Sequence, residues 1–574
     1  MTNYGPKTAF ADQLHAEKYR GEGEDFREAM TRIAGALSDG NDHFRQFRDI
    51  IGNQRFLPGG RIQSAVGAAH DVTPFNCFAS GTIEDSMNGD GSIMDRLSQA
   101  AETMRMGGGI GYDFSTLRWN GAKIKKLNSE SSGPVSFMEL YNALCKVISS
   151  KGHRRGAQMG VLRIDHPDIE EFIRAKHNED RLTGFNMSIA VTDAFMQAVV
   201  GGDTRFDLCF NGEVVKMVNP QVIWEMIMRS TWDWAEPGVI FIDQINRMNN
   251  LWFCERIATT NPCAEQPLPP DGSCLLGSFN LTKYIGSTTT ASDEAFTFNW
   301  DQFEADIPPI VRAIDNVIDQ AAYPLRAQQR EALSKRRIGL GPTGLANTAE
   351  ALGYPYGSPG FIAFEREVLT RLRDTTYMAS IELAHEKGAF PLYSPRYLEG
   401  AFIKTLPEHI RLSIADCGIR NSHLLSGAPA ATISLTADNI SSGIEPVFAY
   451  EADRMVRMDD GIRQVAVQDY GLVNFGTRGK RVQDVTLEEH RDVLLTATAL
   501  VDSSVSKTCN VPADTPWRDF KQLYIDVWKG GGKGCTTYTV GGQREGILKS
   551  ADEDQVDEGA ACQIDAETGR WECD

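Results

Sequence analysis

Apolar positions recur at helical spacing over residues 24–50, EDFREAMTRIAGALSDGNDHFRQFRDI, with Gly40 as a break. The same period returns over 92–106, 136–150, 301–320 and 326–336, and over 362–387, where Val368, Leu369, Leu372 and Ile381 share one face and Gly388 follows the end. Shorter apolar runs predict strands at 161–164, 187–191, 238–243 and 535–540. RFDLCFNGEVVKMV (205–218) alternates around Asn211-Gly212, a hairpin signal. Pro167 predicts a helix start, with His166 ordering it. Thr486 and Glu489 predict a capping box for a helix reaching Val501. Thr515-Pro516 opens another helix, with Phe520, Leu523 and Val527 inside and Gly530 as its stop. Helices and short strands alternate without a Pro/Gly/Ser-rich linker. The expected organisation is a helical N-terminal segment (1–60), one large α/β domain (61–548) and an acidic tail (549–574).

Composition adjusts this picture little. Apolar residues make up 41% of 574 and charged residues 24%, which is ordinary for a globular chain. A net charge of -19 makes it a poor non-specific partner for nucleic acid, so an anionic substrate needs a local device such as backbone amides. No apolar run is long enough to span a membrane, and the N-terminus does not read as a signal peptide. Eleven scattered cysteines predict free thiols in a reducing cytoplasm, and without a CxxC pair no metal site is expected.

The densest chemistry lies in TNPCAEQPLPPDGSCLLGSFNL (260–281). In an extended strand Asn261, Cys263 and Glu265 would share one side of a short finger, stiffened by Pro262 and ended by Pro267, Pro269 and Pro270. Asn76-Cys77 sits in an aromatic run, where Cys77 is equally a buried core thiol. Gly107, Gly108 and Gly109 admit either a ligand or a close-packed neighbour. Residues 118–126 carry Arg118, Lys123, Lys125 and Lys126, which fits a local anion site or a solvated loop. The segment 427–448 is rich in small residues and hydroxyls, which suits phosphate or a plain inter-strand loop. Gly339–Gly344 matches GxGxxG, yet the charged Lys335-Arg336-Arg337 before it argues against a buried strand and a dinucleotide site. The last 24 residues hold nine acids and one base, with Cys562 and Cys573 among them, either a thiol shuttle or incidental surface cysteines.

Together PFNCF, GGGIGYDFS, SSGPVSFM, HRRGAQMGVL, HPDIEEFI, the 260–281 segment, RRIGLGPTGLA, APAATISL, SSGIEP and SKTCNVP resemble the catalytic chain of ribonucleotide reductases, most of all the adenosylcobalamin-dependent branch. The resemblance implies a ten-stranded α/β barrel with a central finger loop. It implies that Cys263 becomes a thiyl radical abstracting the 3′ hydrogen, that Glu265 is the general base, and that Asn261 binds the sugar. Cys77 and Cys274 would reduce the 2′ position and end as a disulfide, which Cys562 and Cys573 would reopen. Pro429, Ala430, Ala431, Thr432 and Ile433 would hold the phosphates, and Asn76 with Gly107–Gly109 would border the nucleoside. Asp85, Arg118 and Lys123 would meet a deoxynucleotide effector, and loop 177–186 would relay its identity. A thioredoxin-like reductant is implied, a homodimer is admitted, and no ATP-binding regulatory domain is expected before residue 50.

The cofactor assignment, adenosylcobalamin, rests on the resemblance. The stretch GCTTYTVGGQREG carries one tyrosine, Tyr538, and no Tyr-Tyr relay, and no glycyl-radical segment is present. The expected function is therefore reduction of ribonucleotides, taken as diphosphates, to 2′-deoxyribonucleotides for DNA synthesis. The alternatives are a subunit fed by a separate radical-generating protein, and a non-catalytic nucleotide-binding regulator.

Overall fold

The computed structural model describes all residues except 1–3, 70–71, 149–156, 178–180, 291–292, 459–460, 540–548, 551–562, 565–570 and 573–574. Cys562, Cys573 and part of loop 177–186 lie outside the described residues.

The architecture is mixed α/β around a ten-stranded sheet. Five strands run parallel in the order Cys77–Ala79, Gly109–Asp113, Gln158–Arg163, Phe185–Val191 and Gly238–Phe241. Such strands are buried on both faces, which explains their continuous apolar runs. An antiparallel neighbour closes each side: Ser273–Asn280 beside Cys77–Ala79, and Gly534–Thr539 beside Gly238–Phe241. Ser273–Asn280 also pairs with Phe56–Pro58 and, in parallel, with Ile338–Thr343, while Thr508–Val511 lies parallel to Gly534–Thr539. Residues 424–427 hydrogen-bond on both flanks. Leu340 N–H donates to Leu424 O at 2.8 Å and Ser426 N–H to Leu340 O at 3.0 Å; Gly427 N–H donates to Ser504 O at 3.0 Å and Ser506 N–H to Gly427 O at 2.8 Å.

Helices cover the sheet. Phe26–Leu37 begins with a full capping box between Asp25 and Glu28 and buries Met30, Ile33 and Leu37. Pro359–Lys387 starts on Ser358 and packs against Trp300–Gln320 and Leu487–Leu500, the latter capped by Thr486 and Glu489 as expected. The 205–218 hairpin turns at Asn211 and Gly212, both at positive φ. His166 orders the turn before the helix, its Nδ1 accepting from Asp168 N at 3.1 Å, but the helix starts at Ile169 and not at Pro167, because Pro167 and Asp168 form a turn.

Three readings are corrected. The strand expected through residue 243 ends at Phe241, because Ile242–Met248 is helical. Thr515 caps nothing; the helix begins at Trp517 after Pro516. The segment Ile338–Thr343 is a fully buried strand, and the charged residues before it are buried too. Arg336 pairs with Asp315 at 2.8 Å and Arg337 with Glu255 at 3.0 Å, so distant carboxylates compensate the burial of charge.

Candidate active site

The finger is a hairpin with a folded tip. Thr259–Thr260 pairs with Pro267–Leu268 in the register Thr259↔Leu268 and Thr260↔Pro267. The extended reading of 261–265 is therefore corrected: the tip turns back on itself. Asn261 N–H donates to Gln266 O at 3.0 Å, Gln266 N–H to Asn261 Oδ1 at 2.9 Å and Ala264 N–H to Asn261 O at 3.0 Å. Ala264 takes φ +64°, the left-handed conformation that the reversal requires. Asn261 thus spends its side-chain oxygen on the turn, a local bond that asparagine makes readily.

Several segments clamp the tip. Asn186 Nδ2 donates to Pro262 O at 2.9 Å. Glu265 O accepts from Ser426 Oγ at 3.1 Å and from Ser504 N–H at 3.0 Å. Gly111 lies so close beneath the hairpin that a Cβ there would sit 1.8 Å from Thr260 O, and one on Gly109 would sit 3.2 Å from Pro262 Cγ. Ala264 packs against the apolar cluster that includes Met159, Val161, Ala190 and Ile240. Asn261 and Glu265 are buried, and Cys263 is half-buried at the tip.

Cys77 and Cys274 are direct cross-strand partners. Opposed antiparallel residues have Cα atoms roughly 4.5–5.5 Å apart, inside the span a disulfide bridges. Asn261 Nδ2 donates to Cys77 Sγ at 3.4 Å, so the finger touches the thiol pair. Cys274 Sγ donates to Leu275 O at 3.4 Å. Burial, then the nearby Glu265 and Cys77, push the Cys274 thiol well up, and Arg337 pulls against them. The arrangement sets one thiol on a rigid tip and two more, able to bridge, beside it.

The other expected residues distribute as follows. Asn76 precedes the Cys77 strand, its buried Oδ1 without a hydrogen-bond partner. Gly107 takes φ +90° against the Arg61 guanidinium, and Gly108 is pressed on Phe78. Pro429 and Ala430 lead into the short helix Ala431–Leu435, which carries Thr432 and Ile433. Ser442 Oγ accepts from Ala430 N–H at 3.0 Å, beside a cleft lined by Ala431, Ser434, Ser441, Ser442 and Glu445. Arg118 Nε donates to Asp85 at 2.6 Å, and Lys123 stands exposed in the strand Lys123–Ile124. Asn186, Ser426 and Ser504 escaped sequence reasoning, because each meets the finger only through long-range packing.

A half-buried thiol, a buried carboxylate and a buried amide thus gather at a hairpin tip, beside two buried thiols opposed on neighbouring strands of the α/β sheet. The chain belongs to the ribonucleotide reductase family: residues 75–538 match its barrel domain. It is 33% identical to the vitamin B12-dependent ribonucleoside-diphosphate reductase of Mycobacterium tuberculosis, over 94% of this chain and 79% of that protein. The enzyme of the same description from Thermoplasma acidophilum is 30% identical over 89% of this chain and 67% of its own length. The vitamin B12-dependent ribonucleotide reductase of Streptomyces coelicolor is 25% identical over 91% and 61%. No helix among the described residues is long and apolar enough to cross a membrane.

Proposed function

We propose that this chain reduces ribonucleoside diphosphates to 2′-deoxyribonucleotides through a radical on Cys263, with adenosylcobalamin as the radical source. The observation that carries the reading is Cys77 opposite Cys274 beneath a finger whose Asn261 donates to the Cys77 sulfur. The names of the vitamin B12-dependent relatives support the cofactor. When bound, that cofactor supplies the radical that takes the Cys263 hydrogen atom. The half-buried position of Cys263 at the tip fits a thiol that such a group could reach.

The chain's residues do the rest. Cys263 removes the 3′ hydrogen and later returns it. Glu265 accepts the 3′-hydroxyl proton and returns it once the 2′ carbon is reduced, and Asn261 orients the sugar. One thiol of Cys77 and Cys274 protonates the leaving 2′-hydroxyl. The pair then supplies two electrons and a second proton, so that C2′–OH becomes C2′–H, water leaves, and the two sulfurs bond. Pro429–Ile433 bind the phosphates, and Asn76 and Gly107–Gly109 border the nucleoside. A deoxynucleotide effector binds at Asp85, Arg118 and Lys123. Cys562 and Cys573 reopen the disulfide for a thioredoxin-like reductant, and a homodimer is the assembly in which effector and substrate loops would meet. In this reading the ten strands close into a barrel, supported by the hydrogen bonds of residues 424–427 to Leu340 on one side and Ser504 and Ser506 on the other.

Purified chain with adenosylcobalamin, a dithiol and a ribonucleoside diphosphate is expected to form deoxyribonucleotide without another protein. Formation only on adding a radical-generating subunit would overturn the cofactor reading. Cys263→Ser is expected to bind nucleotide and form no product; turnover by that variant would remove Cys263 from its role.

A further inference from the structure

The parallel ladder between Ser273–Asn280 and Ile338–Thr343 runs Leu275↔Ile338 and Leu276↔Gly339. Cys274 and Arg337 each directly precede the first pair of this ladder, close enough that each feels the other's charge. The Arg337 side chain is 1% exposed. Its Nη2 donates to Glu255 Oε1 at 3.0 Å and Oε2 at 3.1 Å, and its Nη1 lies 2.8 Å from His423 Nδ1. His423 Nε2 sits 3.0 Å from Asn249 Oδ1. Asn249 Oδ1 can only accept, which assigns the proton to Nε2, although Arg337 Nη1 lies 3.1 Å from that nitrogen too, and leaves Nδ1 to accept from Arg337 Nη1 or from Ser422 Oγ at 3.2 Å. Burial, with Arg337 next, holds His423 well down, so the imidazole is neutral. Arg337 Nε, by contrast, is a buried donor without a hydrogen-bond partner.

The network around this guanidinium holds two cations and two carboxylates. Lys335 bonds Glu255 at 2.7 Å and pairs with Glu331 at 2.9 Å, and Arg337 lies 3.8 Å from Glu331. Burial pushes Glu331 toward its protonated form, while Arg337 and Lys335 overcome burial at Glu255 and keep it ionised. The charges that act most strongly on Cys274 are those of Glu265 on the finger, Cys77 across the ladder, Arg337 and Asp502, with Arg337 the cation among them. A buried thiol pair that must lose two protons and two electrons needs such a counter-charge, because a low-dielectric site penalises an unpaired thiolate.

We infer that Arg337 is a positioning residue of the Cys77–Cys274 pair, held by Glu255 and His423 so that its guanidinium balances the negative charge that builds on the sulfurs as they pass to the disulfide. This rests on the proposed role of that pair.

The test uses the full-length reduced chain without cofactor or nucleotide. Hydrogen peroxide oxidises one thiolate to a sulfenic acid, the second thiol displaces water, and the disulfide is read by mass spectrometry after acid quench and alkylation, across about pH 6 to 10. Arg337→Met is expected to move the rate profile to higher pH, lowering the rate on its rising limb about tenfold per unit. Arg337→Lys keeps the charge and is expected to hold the profile near wild type. Glu255→Gln removes the counter-charge of Arg337 and is expected to move the profile the other way, to lower pH. A purely structural role would move the Met and Gln variants alike. Coincident Met and wild-type profiles, or Met and Gln shifts of one sign, would overturn the inference. If Arg337→Met does not fold, Glu255→Gln decides, and an unmoved or upward profile overturns it. Failure of the chain to reduce nucleotides would strike the proposed function and leave this outcome standing.

Discussion

Gly111→Ala isolates the seating of the finger. Gly111 lies outside the left-handed region, so alanine meets no backbone strain there; the new methyl carbon would simply stand 1.8 Å from Thr260 O. Real contacts of this kind start near 3.0 Å, so strand and hairpin must part by at least about 1.2 Å. Overpacking of this size costs about 1–3 kcal/mol. The larger effect falls on Cys263, three residues beyond Thr260, since a displacement of about 1 Å at a reacting group costs on the order of 10²-fold in rate. The assay pairs deoxyribonucleotide formation with a thermal melt. Turnover is expected to fall about 100-fold while the melting temperature drops only a few degrees. Gly212→Ala, at φ +82° in a hairpin with nothing within 4 Å, is the control: it strains its turn and is expected to lose stability but keep turnover. Turnover by Gly111→Ala within about twofold of wild type would refute the claim that bare backbone seats the finger.

Other outcomes are equally specific. Asn186→Ala removes the donor to Pro262 O and is expected to cost about 1 kcal/mol in urea unfolding and to lower turnover; an unchanged turnover would free the tip from that anchor. Burial holds the Glu350 carboxyl up at about 7, although Lys480 and Tyr356 N–H groups bond it. Because the folded value exceeds the unfolded 4.5, the native state binds more protons between the two, and ionised Glu350 costs about 3 kcal/mol above pH 7. That penalty fades as pH falls from 7 toward 4.5, so the stability of Glu350→Gln relative to wild type is expected to be greatest above pH 7 and to shrink in acid. A pH-independent difference in denaturant melts would contradict this.

Much of the molecule is local and therefore legible. Asn211-Gly212 dictates its hairpin because both residues tolerate positive φ, and Thr486 with Glu489 caps a helix within four residues. The residues of the finger stood out by composition, but their geometry did not. Alternation assumes an extended chain, whereas the Asn261 amide bonds Gln266 N–H and folds the tip. The charged run 335–337 misled for the opposite reason: its partners Asp315 and Glu255 lie far away in sequence, and without them burial of an arginine looks forbidden. The pairing of Cys77 with Cys274 came from resemblance alone, since no local pattern joins two strands so far apart.

Strand Ser273–Asn280 changes neighbours along its length. It meets Cys77–Ala79 at Ser273 and Cys274, then Phe56–Pro58 from Gly277 onward, with Gly59 N–H donating to Leu276 O at 2.9 Å where the edge changes hands. Its other edge waits for Ile338–Thr343. The thiol pair thus joins two stretches almost 200 residues apart, on a strand that also meets Phe56–Pro58 and Ile338–Thr343. Until those two stretches meet, the nascent chain carries two unrelated cysteines, each exposed to stray oxidation singly but unable to bridge within the site. The opposed thiols are in this sense a product of tertiary assembly, and a chain stalled before Ser273 would have Cys77 without its partner.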